Sequence, residues 1–158
     1  MVQTTRVAMA AAVAACTVLG AAAQAAIVIT PLGTPRILVP DAATLNRLKT
    51  SMSGGSPAAT RFKNYVDAQM DGADYYEFAG WHAALMYQVT GKAAYCDYAV
   101  GLTDDFVKSE EALINQNQRA TVAGDSYLYV GPTIGNVSMV YDWCRAQMTS
   151  AQRSRWVT

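Results

Sequence analysis

Residues 74 to 106 read DYYEFAGWHAALMYQVTGKAAYCDYAVGLTDDF, and their periodicity decides the fold class. Phe78, Trp81, Leu85, Met86 and Val89 recur at three- and four-residue steps, which is the spacing of one face of an α-helix. Asp74, with Glu77 three residues on, has the form of a capping box, so the helix is expected to begin there and to end at Thr90-Gly91. Lys92 opens a second helix, with Tyr95, Tyr98, Ala99, Leu102 and Phe106 on one face and Asp104-Asp105 on the other. A connection as short as Thr90-Gly91-Lys92 makes the two helices antiparallel neighbours, an αα-hairpin.

Beyond this hairpin, residues 109 to 124 (SEEALINQNQRATVAG) are polar and weakly periodic, and read as a helix tail followed by a long loop of the kind that carries function. Asp125 to Pro132 (DSYLYVGP) then leads into a helix from about Thr133 to Gln147, with Gly131-Pro132 as the turn before it. Its expected buried stripe is Ile134, Val137, Val140, Tyr141 and Cys144. Thr149 with Gln152 makes a further capping box and starts a helix with room for about eight residues, too few to bury a face alone. A helix opened in this way is expected of the front part of a longer chain.

Toward the N-terminus, Ser56-Pro57 marks a helix start, because a serine oxygen accepts from a free amide and proline fits the first helical position. Phe62, Tyr65, Val66 and Gln69 carry that helix to about Met70. Asp41 stands where an N-cap belongs for a short helix through about Met52, with Leu45 and Leu48 on its face. Residues 26 to 40 (AIVITPLGTPRILVP) hold three prolines and a glycine and are expected to be an extended lead-in. Residues 1 to 25 carry Arg6, an apolar alanine-rich run from Val7 to Ala23 and Ala23-Gln24-Ala25 as a small-x-small site, the pattern of a cleaved secretory signal peptide. The run is shorter and less hydrophobic than a membrane span, and the sequence after Cys16 is too apolar for a lipoprotein tether. The expected address is therefore the periplasm or the outside of a bacterial cell, with residues 41 to 158 forming the folded unit.

The chain has 158 residues, 12 basic and 12 acidic. Loss of Arg6 with the signal would leave 11 basic against 12 acidic residues, so charge gives no reason to expect nucleic acid or an anionic membrane as partner. Cys16 would leave with the signal. Cys96 and Cys144 remain, either bridged in an oxidising compartment or present as two buried thiols.

The segments 81 to 100 (WHAALMYQVTGKAAYCDYAV) and 125 to 156 (DSYLYVGPTIGNVSMVYDWCRAQMTSAQRSRW) carry a family likeness. The first is similar to a helix ending A-L-x-Y-x-x-T-G followed by Y-x-x-x-A. The second resembles the Y-D-W…L-T-x-x-Q-R element near the N-terminus of heparinase II/III-like polysaccharide lyases and of alginate lyases of similar architecture. The likeness extends over residues 37 to 158. It implies an all-α region of antiparallel helical hairpins forming the first part of an incomplete (α/α) toroid, with more helices and a β-sandwich region beyond it. It also implies an acidic, uronate-containing polysaccharide as substrate, cut by β-elimination. Met148-Thr149 stands where the family has L-T, and Cys144 where it often has an aliphatic residue.

β-Elimination needs a group to neutralise the uronate carboxylate, a base for the adjacent proton and an acid for the leaving oxygen. In the resembling lyases Asn, His and Tyr fill these roles, and no residue of this chain matches a catalytic motif. The candidates are therefore substrate-binding ones: His82, the only histidine; Asp125, Tyr127 and Tyr129 in the loop before a helix; and Asn136 near that helix's start. Tyrosine suits a sugar cleft because it offers a stacking face and a hydroxyl. No cofactor is implied, and one histidine with two separated cysteines does not make a zinc site. The rival expectations are a toroid glycoside hydrolase, with acids such as Asp71, Asp74 and Glu77 at a helix start, and a small helical carbohydrate- or protein-binding module.

Overall fold

The computed structural model describes residues 42–125 and 127–157. The expected signal peptide, the lead-in and the Asp41 cap lie outside the described residues. Among the described residues the fold is all-α: α1 (Ala42–Ser53), α2 (Pro57–Met70), α3 (Gly80–Thr90), α4 (Ala93–Asn115), α5 (Val130–Cys144) and α6 (Ser150–Trp156), with a 3₁₀ turn at Thr121–Ala123.

α2 begins as its sequence dictates, with Pro57 in the first turn and the Ser56 hydroxyl accepting from Ala59 N. α3 does not start at an Asp74–Glu77 box. It starts at Gly80, and residues 71–79 form turns instead. Gly72 takes φ +104°, a conformation that interrupts any helix there. The segment is then tied to α2 by Gln69 Oε1, which accepts from Tyr75 N at 3.0 Å, and by packing of the Tyr75 and Phe78 rings on Tyr65. α3 ends at Gly91, whose left-handed φ of +73° is the usual helix-stopping conformation.

α3 is the central helix, packing on α1, α2, α4 and α5. Its contacts with α5 run in step: Trp81 N donates to Asn136 Oδ1 at 2.9 Å, and seven residues further Gln88 Nε2 donates to Trp143 O at 2.6 Å. The two helices thus point the same way. The core at their meeting is Ala83, Ala84 and Met86 of α3, Tyr95, Cys96, Ala99 and Val100 of α4, and Val140, Trp143 and Cys144 of α5, with Val66 and Met148. Small residues bring the backbones close. A Cβ built on Gly80 would fall 2.6 Å from Thr103 Oγ1 and 3.1 Å from both Ala99 O and Val140 Cγ2. Cys96 and Cys144 form a disulfide, with Cα atoms 5.4 Å apart, joining the first turns of α4 to the end of α5.

Several sequence expectations are corrected. One holds: the helix tail expected from Ser109 is the end of α4, which runs to Asn115, with the Glu110 carboxylate turned inward to accept from Val122 N at 2.9 Å. α5 starts at Val130 with Gly131-Pro132 inside its first turn, where proline forfeits no helical bond, and stops at Cys144 in a turn closed by Gln147 N to Cys144 O. Its buried face includes Trp143, 2% exposed, whereas Ile134 is 56% exposed. Asp104 is not on an outer face. It is buried, and Arg155 Nη1 (3.0 Å) and Trp156 Nε1 (2.8 Å) of α6 both donate to its Oδ1, while Lys108 pairs with its Oδ2 at 2.9 Å. This carboxylate, together with the Thr149 cap expected from T-x-x-Q, holds the short α6 in place.

Candidate functional site

A cleft of about 580 Å³ opens where the first turns of α3 and α5 meet the middle of α4. Three segments build it. The turn-rich stretch before α3 supplies Tyr76, Glu77, Phe78 and Gly80; α4 supplies Leu102, Thr103 and Phe106; the start of α5 supplies Leu128, Tyr129, Pro132, Thr133 and Asn136. A cleft forms here because Gly80 lets the α3 start sink against α4 and α5, leaving the flanking loop aromatics standing above the floor. Tyr76 is 95% exposed and Tyr129 is 61% exposed, so neither ring face is spent on the core. Thr103 is buried in the floor, and its hydroxyl has no hydrogen-bond partner among the described residues. Glu77 is the one charged residue among the described lining residues.

Of the five sequence candidates, Tyr129 and Asn136 come together in this cleft. Asn136 is partly committed: its Oδ1 caps the α3 start through Trp81 N, tying α5 to α3 below the cleft. Asp125, Tyr127 and His82 do not line it. Asp125 is a turn former, its Oδ1 accepting from both Tyr127 N and Leu128 N at 3.0 Å and its carbonyl from Tyr129 N and Val130 N. That turn sets the direction in which Tyr129 enters α5, so Asp125 acts on the cleft by positioning. Tyr127 is 92% exposed on the outer side of the same turn.

His82 occupies the third position of α3, and its Nδ1 lies 3.0 Å from Ala79 N and 2.9 Å from Ala79 O, so the ring is tied back to the residue that precedes the helix. This is half of a capping box; Ala79 has no side-chain acceptor to return the bond. The imidazole lies against Trp81 with centroids 3.7 Å apart, against Phe78 at 5.1 Å and near Tyr65 at 5.5 Å. Burial among these rings lowers its pKa, against the smaller opposing pull of the Ala79 backbone bond, so it is neutral at pH 7. It is a cap and a packing residue of the aromatic cluster.

A second polar group joins α2 to α4 away from the cleft. Tyr95 Oη donates to Asp67 Oδ1 at 2.6 Å, and Lys63 pairs with the same carboxylate. Burial pushes the Tyr95 hydroxyl up, as does its bond to Asp67; for Asp67 burial acts upward but is outweighed by the bonds from Lys63 and Tyr95, which hold it below the usual carboxylate value. Each partner is satisfied, so the group ties helices together.

Sequence reasoning put residues 74–78 into a helix and so did not place Tyr76 or Phe78 at a site; it named Glu77 only as an acid of the rival hydrolase, and it read Phe106 as part of an apolar helix face and did not single out Thr103. Two adjacent tyrosines shortly after a glycine, within an otherwise polar DGADYYE, were the available signal. No group of three or more His, Cys, Asp or Glu side chains among the described residues is arranged to hold a metal ion, and no described helix is long and apolar enough to cross a membrane. Compared with known protein families, curated proteins and solved structures, the chain matches none.

Proposed function

We propose that the chain is the first part of an (α/α) toroid from an exported polysaccharide lyase, acting on uronate-containing polysaccharide by β-elimination. The observation that carries this reading is the cleft where α3 and α5 start side by side, with Tyr129 and Asn136 in its wall. Such a cleft is what a sugar chain needs: a concave surface with free aromatic faces and a few polar groups. The direction of the helices supports the toroid. α3 and α5 point the same way, and α4 joins them through the two-residue connection Gly91-Lys92 on one side, as successive αα-hairpins require. The disulfide supports an oxidising compartment and so an exported chain.

The part given by this chain is scaffold and binding wall. Its one histidine is engaged in capping α3. The base and the carboxylate-neutralising group of the elimination belong, in this reading, to further helices and a β-sandwich region of the full protein. Apolar side chains on the outer α4–α5 surface support that extension: Ile114 is 58% exposed and Ile134 56%, beside Val137 and Trp156 along a shallow groove of about 380 Å³.

The test is to express the full reading frame and incubate it with uronate polymers. β-Elimination leaves a 4,5-unsaturated uronate that absorbs in the ultraviolet, and that absorbance is the expected result. New reducing ends without it would mean a toroid hydrolase, and a frame that closes at Thr158 with sugar binding and no cleavage would mean a binding module.

A further inference from the structure

We propose that the α3–α5 cleft is a subsite for a neutral pyranose ring, so that the polysaccharide this protein takes is a mixed one, with an uncharged sugar placed beside the uronate. The inference rests on the polysaccharide reading above and names its substrate more closely. Three observations carry it. First, Tyr76 and Tyr129 stand at the cleft with ring faces free, and Phe78, Leu102 and Phe106 extend the apolar wall, a surface that suits the flat C–H face of a pyranose. Second, the polar groups present suit hydroxyls: the tyrosine hydroxyls and the Asn136 side chain.

The third observation is charge. A uronate carboxylate in a cleft needs a cation or a set of convergent donors. Here Glu77 is the one charged residue among the described lining residues, and its sign repels a carboxylate. A volume of about 580 Å³ has room for more than one sugar ring, so the neutral unit can sit in the cleft while its uronate neighbour lies toward the rest of the toroid.

The experiment compares two probes that differ only at C6, cellohexaose and the β-1,4-linked glucuronate hexamer, by saturation-transfer NMR and titration against the purified chain. Cellohexaose is expected to bind, and the glucuronate hexamer to bind about fivefold more weakly at low salt, the scale of one repulsion across a few ångströms in water. Glu77→Gln should abolish that difference. Tyr129→Ala and Tyr76→Ala should each weaken cellohexaose about fivefold with unchanged melting temperatures, because both side chains are exposed. Equal or tighter binding of the glucuronate hexamer, failure of cellohexaose to bind, or binding that survives both tyrosine variants would each overturn the proposal. None of these depends on the ultraviolet assay of the full frame, so either claim can fail without the other.

Discussion

Gly80 shows how much one residue decides. Any Cβ there meets Thr103 Oγ1 at 2.6 Å, together with a backbone oxygen of α4 and a methyl of α5. Gly80→Ala is expected to destabilise the fold by about 1–3 kcal/mol through overpacking, read as a fall in melting temperature, and to alter the cleft floor. Asp104 and His82, besides Asp67, make the protein sensitive to acid. Asp104 is held below the ordinary carboxylate value: burial alone would raise it, but bonds from Lys108, Trp156 and Arg155 outweigh burial. A depressed carboxylate stabilises above its unfolded value of about 3.9 and loses that contribution as pH falls through its folded value. His82, lowered by burial, has the same sign: the unfolded chain takes the proton first, so stability declines as pH falls below about 6.5. Denaturant titrations from pH 8 to pH 3 should show both declines, with Asp104→Asn flattening the lower part and His82→Gln the upper part. A pH-independent midpoint in the wild-type chain would contradict both assignments.

At the scale of elements, the disulfide and α6 are the features to perturb. The bridge closes a 48-residue separation between α4 and α5, and reducing it is expected to cost about 2–4 kcal/mol, measured as a lower urea midpoint in dithiothreitol. α6 has seven residues and is held by the Thr149 cap and by Asp104. Thr149→Ala should release it at a cost of about 0.5–2 kcal/mol, seen as faster amide exchange in residues 150–156 before the rest of the protein changes.

These elements also show what a sequence reveals. The starts of α2 and α6 were legible because Ser56-Pro57 and T-x-x-Q settle their caps locally. The start of α3 was not, because Asp74 and Glu77 imitate a box while Gln69 and Tyr65 of α2 hold that stretch in turns. The inward Glu110 and Asp104 were invisible to an apolar periodicity count, since each is buried by a partner distant in sequence. Tyr129 and Asn136, which line the cleft, could be singled out because they flank a helix start, whereas Tyr76 needed the α3 boundary to be right.

For the whole molecule, the all-α class followed from apolar spacing, and the cleft followed from which helix starts converge, which only tertiary contacts reveal. The central claim is that α4 and α5 present an apolar surface made for further helices. Ile114 and Ile134 are each at least 56% exposed along one groove, a costly arrangement for a surface meant for water. The most direct measurement is sedimentation velocity of the purified chain over a range of concentrations, with dye binding as a second readout of the same surface. The account predicts concentration-dependent association and dye binding, both reduced by Ile134→Glu with the melting temperature unchanged. A strict monomer at every concentration, cooperatively folded and binding no hydrophobic dye, would contradict it.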